Sequence, residues 1–133
     1  MKKTRILTPE VTEPSPGMWS NCLRIGETVV ISGLTARAPD GTSILGADEY
    51  EQSQVIFAKI RAFMQAAGGS MDDVVKMTIF VTNMANNSKV WTARKEVFTG
   101  DFPACSLVEV SALAKPEILV EIEAWGILGC SAD

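Results

Sequence analysis

Two glutamates alternate with apolar residues near the end of the chain, in Val120-Glu121-Ile122-Glu123-Ala124. Strand periodicity puts Val120, Ile122 and Ala124 on one face and Glu121, Glu123 and Trp125 on the other. Acids among apolar residues are costly unless they are solvated, paired or chemically used. Either the face is open to water, or a carboxylate there works as an acid or base. Cys105 adds a thiol, which is a nucleophile only if a nearby cation or helix N-terminus lowers its pKa. The other reading of Cys105 is a small, semi-buried space-filler. The chain has no histidine. That excludes Ser-His-Asp and Cys-His catalysis and the common His-based zinc sites. Proton transfer near neutral pH falls to carboxylates, a cysteine, a lysine, Tyr50 or bound water.

The elements that position these groups follow from local pattern. Thr4 to Leu7 predicts a short first strand. Trp19 to Ile25 and Thr28 to Ser32 predict a hairpin around Gly26-Glu27, with Gly33 closing its second strand. Ala38-Pro39-Asp40-Gly41 is a turn. Asp48-x-x-Glu51 is a capping box opening a helix. Its apolar residues Val55, Ile56, Ile60, Phe63, Met64 and Ala67 recur at helical steps until Gly68-Gly69. Ser70-x-x-Asp73 caps a single turn, and Val74 to Val81 is a buried strand. Asn86-Asn87-Ser88 opens a second helix that Gly100 stops. Cys105 to Val110 and Ile118 to Leu128 complete the set. The order ββαβαββ predicts one α+β domain over residues 1–133, with both helices on one face of the sheet. The other face is left for a ligand or another subunit.

Composition narrows the function classes. The 133 residues are 47% apolar and 21% charged, enough for a real core. A net charge of −4 and no evident basic patch count against nucleic acid as a partner. No apolar run approaches the roughly 20 residues of a membrane span. The basic start lacks the apolar segment of a signal peptide. Cys22, Cys105 and Cys130 are scattered and form no Cys-x-x-Cys pair, which suggests reduced thiols in the cytoplasm.

Six segments together resemble the Rid family (reactive intermediate deaminase, RidA or YjgF, in older usage endoribonuclease L-PSP). They are Val30-Ile31-Ser32-Gly33 with the Pro39-Asp40-Gly41 turn, Val75 to Val81, Asn83-Met84, Phe102-Pro103-Ala104, Ser106-x-Val108-Glu109-Val110 and Glu121-Ile122-Glu123-Ala124. The resemblance implies a chorismate-mutase-like fold, an α/β sandwich with one mixed sheet. It also implies a homotrimer that holds small-molecule ligands between subunits, without metal or organic cofactor. The implied chemistry is hydrolysis of enamines and imines, such as 2-aminoacrylate, to a keto acid and ammonia.

Carried over by position, the family's water-handling glutamate is Glu121, and its Ser-Gly pair is Ser32-Gly33. The carboxylate-binding arginine is replaced by Cys105. A cleft tyrosine becomes Trp19, an asparagine becomes Trp91, and a frequent cysteine becomes Leu107, next to Ser106. A forked Arg–carboxylate contact is strong and directional. Its hydrogen bonds contribute roughly 1.5–3 kcal/mol each, so losing it weakens binding by about 10²-fold. The expectation is poor activity on small 2-imino acids, with Arg24 and Arg37 as candidate replacements. Trp19 and Trp91 either line a cleft for a flat, apolar ligand or fill and close it. The sequence thus predicts an enzyme with altered specificity. The alternatives are an inactive binding or chaperone-like trimer and, last, a ribonuclease.

Overall fold

The computed structural model describes residues 1–132. Six strands form one mixed sheet: β1 (Lys3–Arg5), β2 (Cys22–Ile25), β3 (Thr28–Leu34), β4 (Val74–Val81), β5 (Ala104–Glu109) and β6 (Val120–Ile127). Their spatial order is β1-β2-β3-β6-β4-β5. Only β4 and β5 run parallel among the paired strands, and α2 (Asn87–Lys95) lies on the connection between them. Both α1 (Glu49–Ala66) and α2 cover the same face, as the strand–helix alternation predicts.

The longer helix shows how sequence fixes structure here. Asp48 accepts the Glu51 amide at 2.9 Å, while Glu51 reaches back to the Ala47 amide rather than to that of Asp48. The box therefore closes one residue early. Phe57, Ile60, Phe63 and Met64 are fully buried against the sheet. Each such side chain contributes about 1.5–3 kcal/mol on leaving water. The helix ends in a Schellman motif: the Gly69 amide donates to the Met64 carbonyl and the Gly68 amide to the Gln65 carbonyl. Gly68 takes φ +100°, which only glycine adopts cheaply.

Two buried polar side chains tie this frame together. Gln52 is 1% exposed. It donates to the carbonyls of Gly46 and Glu117 and accepts the Leu119 amide at 2.9 Å. It thereby fixes the segment that leads into β6. Asp73, 2% exposed, accepts the amides of Ser70, Gly129 and Ser131 and the Ser131 hydroxyl. Burial pushes its carboxyl up, but the Ser131 hydroxyl and the three amides outweigh that and hold it at about 2.

Several boundaries differ from the sequence expectation. Residues 19–21 precede the hairpin strand instead of joining it. Gly33 does not close β3: the strand continues to Leu34 through a register shift between Ile31 and Leu34 against β6. The second helix ends at Lys95, before Gly100, so Val97 and Phe98 pack from the following loop. The shift in β3 matters most, because it sets the geometry of the site.

Candidate active site

A bulge puts an extra residue into one strand and re-aims its neighbours. Ile31 pairs with Ala124, but Leu34 pairs with Ile122, so β3 carries one residue too many at Ser32-Gly33. On β6 the alternation predicted from sequence holds: Val120, Ile122 and Ala124 are buried, and Glu121, Glu123 and Trp125 are half-buried on the open face. The bulge brings Gly33 under the Glu121 carboxylate. A Cβ on Gly33 would sit 2.5 Å from Oε2 of Glu121. Glycine lets the carboxylate lie this close, and its φ is not in the left-handed region.

Gly33 and Glu121 both line a cavity of about 810 Å³, a size suited to a small organic ligand. Trp19, Met18, Val11 and Leu45 supply apolar wall, and Val55 and Ala58 come from α1. Burial raises the Glu121 pKa above the usual carboxylate value, and the negative charge of Glu123 raises it further. That is the direction required of a carboxylate acting as acid or base closer to neutrality. A Gly33→Ala variant should keep its stability to within about 1 kcal/mol, since a flexible side chain can move aside. It should let the Glu121 pKa fall back toward its ordinary value as the carboxylate is pushed outward. Carbon-detected NMR titration of Glu121 reads this directly, and an unmoved titration would refute the packing argument.

The Trp19 wall is built by a polar chain. The Trp19 indole N–H donates to Asn21 Oδ1 at 3.1 Å. Asn21, only 4% exposed, donates in turn to the Thr12 carbonyl and to Glu13 Oε2. Arg5 closes the chain on Glu13 at 2.9 Å and also donates to the Trp19 carbonyl. The sequence reading missed Asn21 and Glu13. Their signal was weak, because both lie in an irregular segment with no period.

Not every site residue predicted from sequence is in this cavity. Ser32 is spent locally: its hydroxyl donates to the Ser20 carbonyl at 2.6 Å. Cys105 pairs with Met77 and Leu107 with Ile79, both buried under the helices, so these two side chains face α2. Glu121 pairs with Phe80, on the opposite face. Within one chain, Cys105 and Glu121 are therefore separated by the sheet. The Cys105 thiol accepts a long hydrogen bond of 3.5 Å from Arg94 Nη1 on α2. Trp91, on the same helix, is 43% exposed and away from the cavity. Ser106 points to the open face, where Lys76 donates to its hydroxyl.

The two candidate arginines separate cleanly. Arg24 is consumed by the carbonyls of Gly26 and Ala67 and by Glu27. Arg37 lines the cavity. Lys59, which the sequence reading passed over as part of α1, lines it too.

A model of the endoribonuclease L-PSP family matches residues 11–127. The chain belongs to the Rid family. A RutC family protein of Pyrococcus abyssi is 32% identical over 93% of this chain and 96% of its own. A 2-iminobutanoate/2-iminopropanoate deaminase of Dermatophagoides farinae is 31% identical over 92% of this chain and 95% of its own. Among solved structures, the Rid protein YyfA of Yersinia pestis superposes with a TM-score of 0.85 at 34% identity, covering 96% of this chain and all of that one (100%). The Rid assignment accounts for the mixed sheet with two helices on one face. No helix among the described residues is long and apolar enough to cross a membrane.

Proposed function

We propose that the protein is a cofactor-free hydrolase of the Rid type. Its substrate is an imine, enamine or related activated C–N compound of a small metabolite, other than the usual small 2-imino acids. The observation that carries this reading is the Glu121 carboxylate, half-buried in the cavity over Gly33 with a raised pKa. The deaminase named among the relatives supports the reaction type.

In this reading Glu121 accepts a proton from water as the water oxygen bonds to the imine carbon. The C=N π pair moves to nitrogen, which takes up a proton. The resulting carbinolamine expels ammonia and leaves a carbonyl, so one imine and one water give one carbonyl compound and one ammonia. Proton transfer by a positioned side chain is worth about 10²–10⁴-fold. Trp19 supplies a flat wall, and the bulge at Ser32-Gly33 supplies close backbone approach.

The working assembly in this proposal is a homotrimer. The open sheet face carries Val30, Phe80 and Trp125, with Val108 and Ile127 over 40% exposed at 41% and 44%. A second subunit would cover such a face. Trp91, Cys105, Ser106 and Leu107 then reach a ligand only as a neighbouring subunit's side of the cleft. The three cysteines are free, which suits the cytoplasm. A catalytically silent binding trimer is the second reading, favoured by the absence of an arginine at position 105.

The test is release of ammonia and carbonyl product from imines generated in place. We expect slow turnover of 2-aminoacrylate and faster turnover of an imine bearing an aromatic group. Family-like turnover of 2-aminoacrylate would overturn the altered specificity. No turnover of any imine that binds would leave the binding trimer.

A further inference from the structure

We propose that Arg37 and Lys59 form a carboxylate-binding subsite in the Glu121 cavity, displaced from the position that Cys105 occupies. Its ligand class is a flat or aromatic metabolite whose carboxylate lies away from the reacting C–N bond. The C–N part of this statement rests on the proposed function, whereas the anion subsite stands without it.

Glu10, Glu13, Glu121, Arg37 and Lys59 all line the cavity. Glu13 is already neutralised by Arg5 and hydrogen-bonded by Asn21. Glu10 is exposed and accepts the Thr8 hydroxyl. Glu121 has a raised pKa. Neither Arg37 nor Lys59 has a carboxylate partner among the described residues. Among the described residues the cavity therefore holds two cations outside any ion pair, and one ionised carboxylate, that of Glu10, also outside any ion pair.

Both cations are held in place yet keep donors to spare. Arg37 spends one N–H on the Gly41 carbonyl at 2.9 Å. A guanidinium has five, arranged as a fork that matches a carboxylate. Lys59 donates to the carbonyls of Thr35 and Arg37 at 2.7 and 2.8 Å, leaving one of its three N–H groups. Burial, followed by the Arg37 charge, lowers the Lys59 pKa to about 8. Two like charges in mutual repulsion are relieved when an anion binds between them.

The loop that carries Arg37 is stiff. The Ala38 amide donates to the Ser43 carbonyl and the Leu45 amide to the Ala36 carbonyl. Asp40 accepts the amides of Thr42 and Ser43 and the Ser43 hydroxyl. The guanidinium is thus presented from an ordered turn, and little entropy is lost in using it.

Isothermal titration calorimetry with phenylacetate and its neutral analogue phenylacetamide tests the subsite. Wild-type protein should bind the carboxylate about tenfold more tightly than the amide. Arg37→Gln should erase that preference, Arg37→Lys should keep part of it, and Lys59→Met should reduce it. Equal affinity for the two ligands, or no measurable heat from either at millimolar concentration, would overturn the proposal. So would a preference intact in both Arg37→Gln and Lys59→Met. If Arg37→Gln fails to fold, the wild-type comparison and Lys59→Met still decide. Carboxylate preference without turnover of any imine would sink the hydrolase reading and leave the subsite standing.

Discussion

Glu121→Gln is expected to lower turnover by about 10²–10³-fold while leaving ligand affinity nearly unchanged. Glutamine keeps the size and one acceptor but cannot take a proton from water. A protein that only binds would show no such split between turnover and affinity. The pH profile adds a second readout. If the ionised carboxylate is the base, the rate rises with pH through the Glu121 pKa and then levels. That limb lies above the ordinary value of 4.5, because burial and Glu123 both favour the neutral acid. Glu123→Gln should move the limb to lower pH. An unmoved limb would show that Glu121 does not set the profile. Stability runs the opposite way. A carboxyl whose folded pKa is raised stabilises the fold fully below its unfolded pKa, and that contribution is lost as pH rises through the folded pKa. The Gln variant should therefore melt slightly higher than wild type at pH 7, with the difference vanishing in acid.

Asp73→Ala is expected to destabilise the frame by about 2–4 kcal/mol in urea denaturation. It would strip three amides and one hydroxyl of their shared acceptor. It would also release residues 129–131 from the start of β4. The acid sensitivity has a defined window. The Asp73 pKa is depressed to about 2 from 3.8, so its contribution is present above pH 3.8 and is lost as pH falls toward 2. Wild type should lose stability across that interval, and the Ala variant should lose less. Parallel losses in the two proteins would show that Asp73 is not the responsible group.

How much was legible in the sequence depended on range. The helix from Asp48 to Gly68-Gly69 and the strand Val74–Val81 could be read because their caps, periods and breakers are local. The alternation of Val120 to Trp125 was legible for the same reason. The bulge at Gly33 was not, because a register shift belongs to two strands about ninety residues apart, and the glycine looked like a stop signal. Nor was the face chosen by Cys105. That is fixed by its parallel pairing with Met77 across a helical crossover, and a short strand with mixed polarity does not declare its inside. The charges of the cavity were half legible. Arg37 could be named as a candidate, but only the fold sets it beside Lys59. Gln52 looked like one more polar helix residue, and its burial depends on Glu117 and Leu119 at the far end of the chain.

Those last contacts give the cavity two walls of unequal lifetime. The wall bearing Glu121 hangs on Leu119, whose amide is held by a fully buried side chain. Its protection against hydrogen exchange should approach that of global unfolding. The wall bearing Trp19 rests in part on Arg5 and Glu13, a partly exposed ion pair worth about 0–1 kcal/mol and weakened by salt. Residues 10–19 should open far more often than β6. Ligand entry and exit would then be paced by the N-terminal segment and quickened by ionic strength, while the strand that carries Glu121 stays closed.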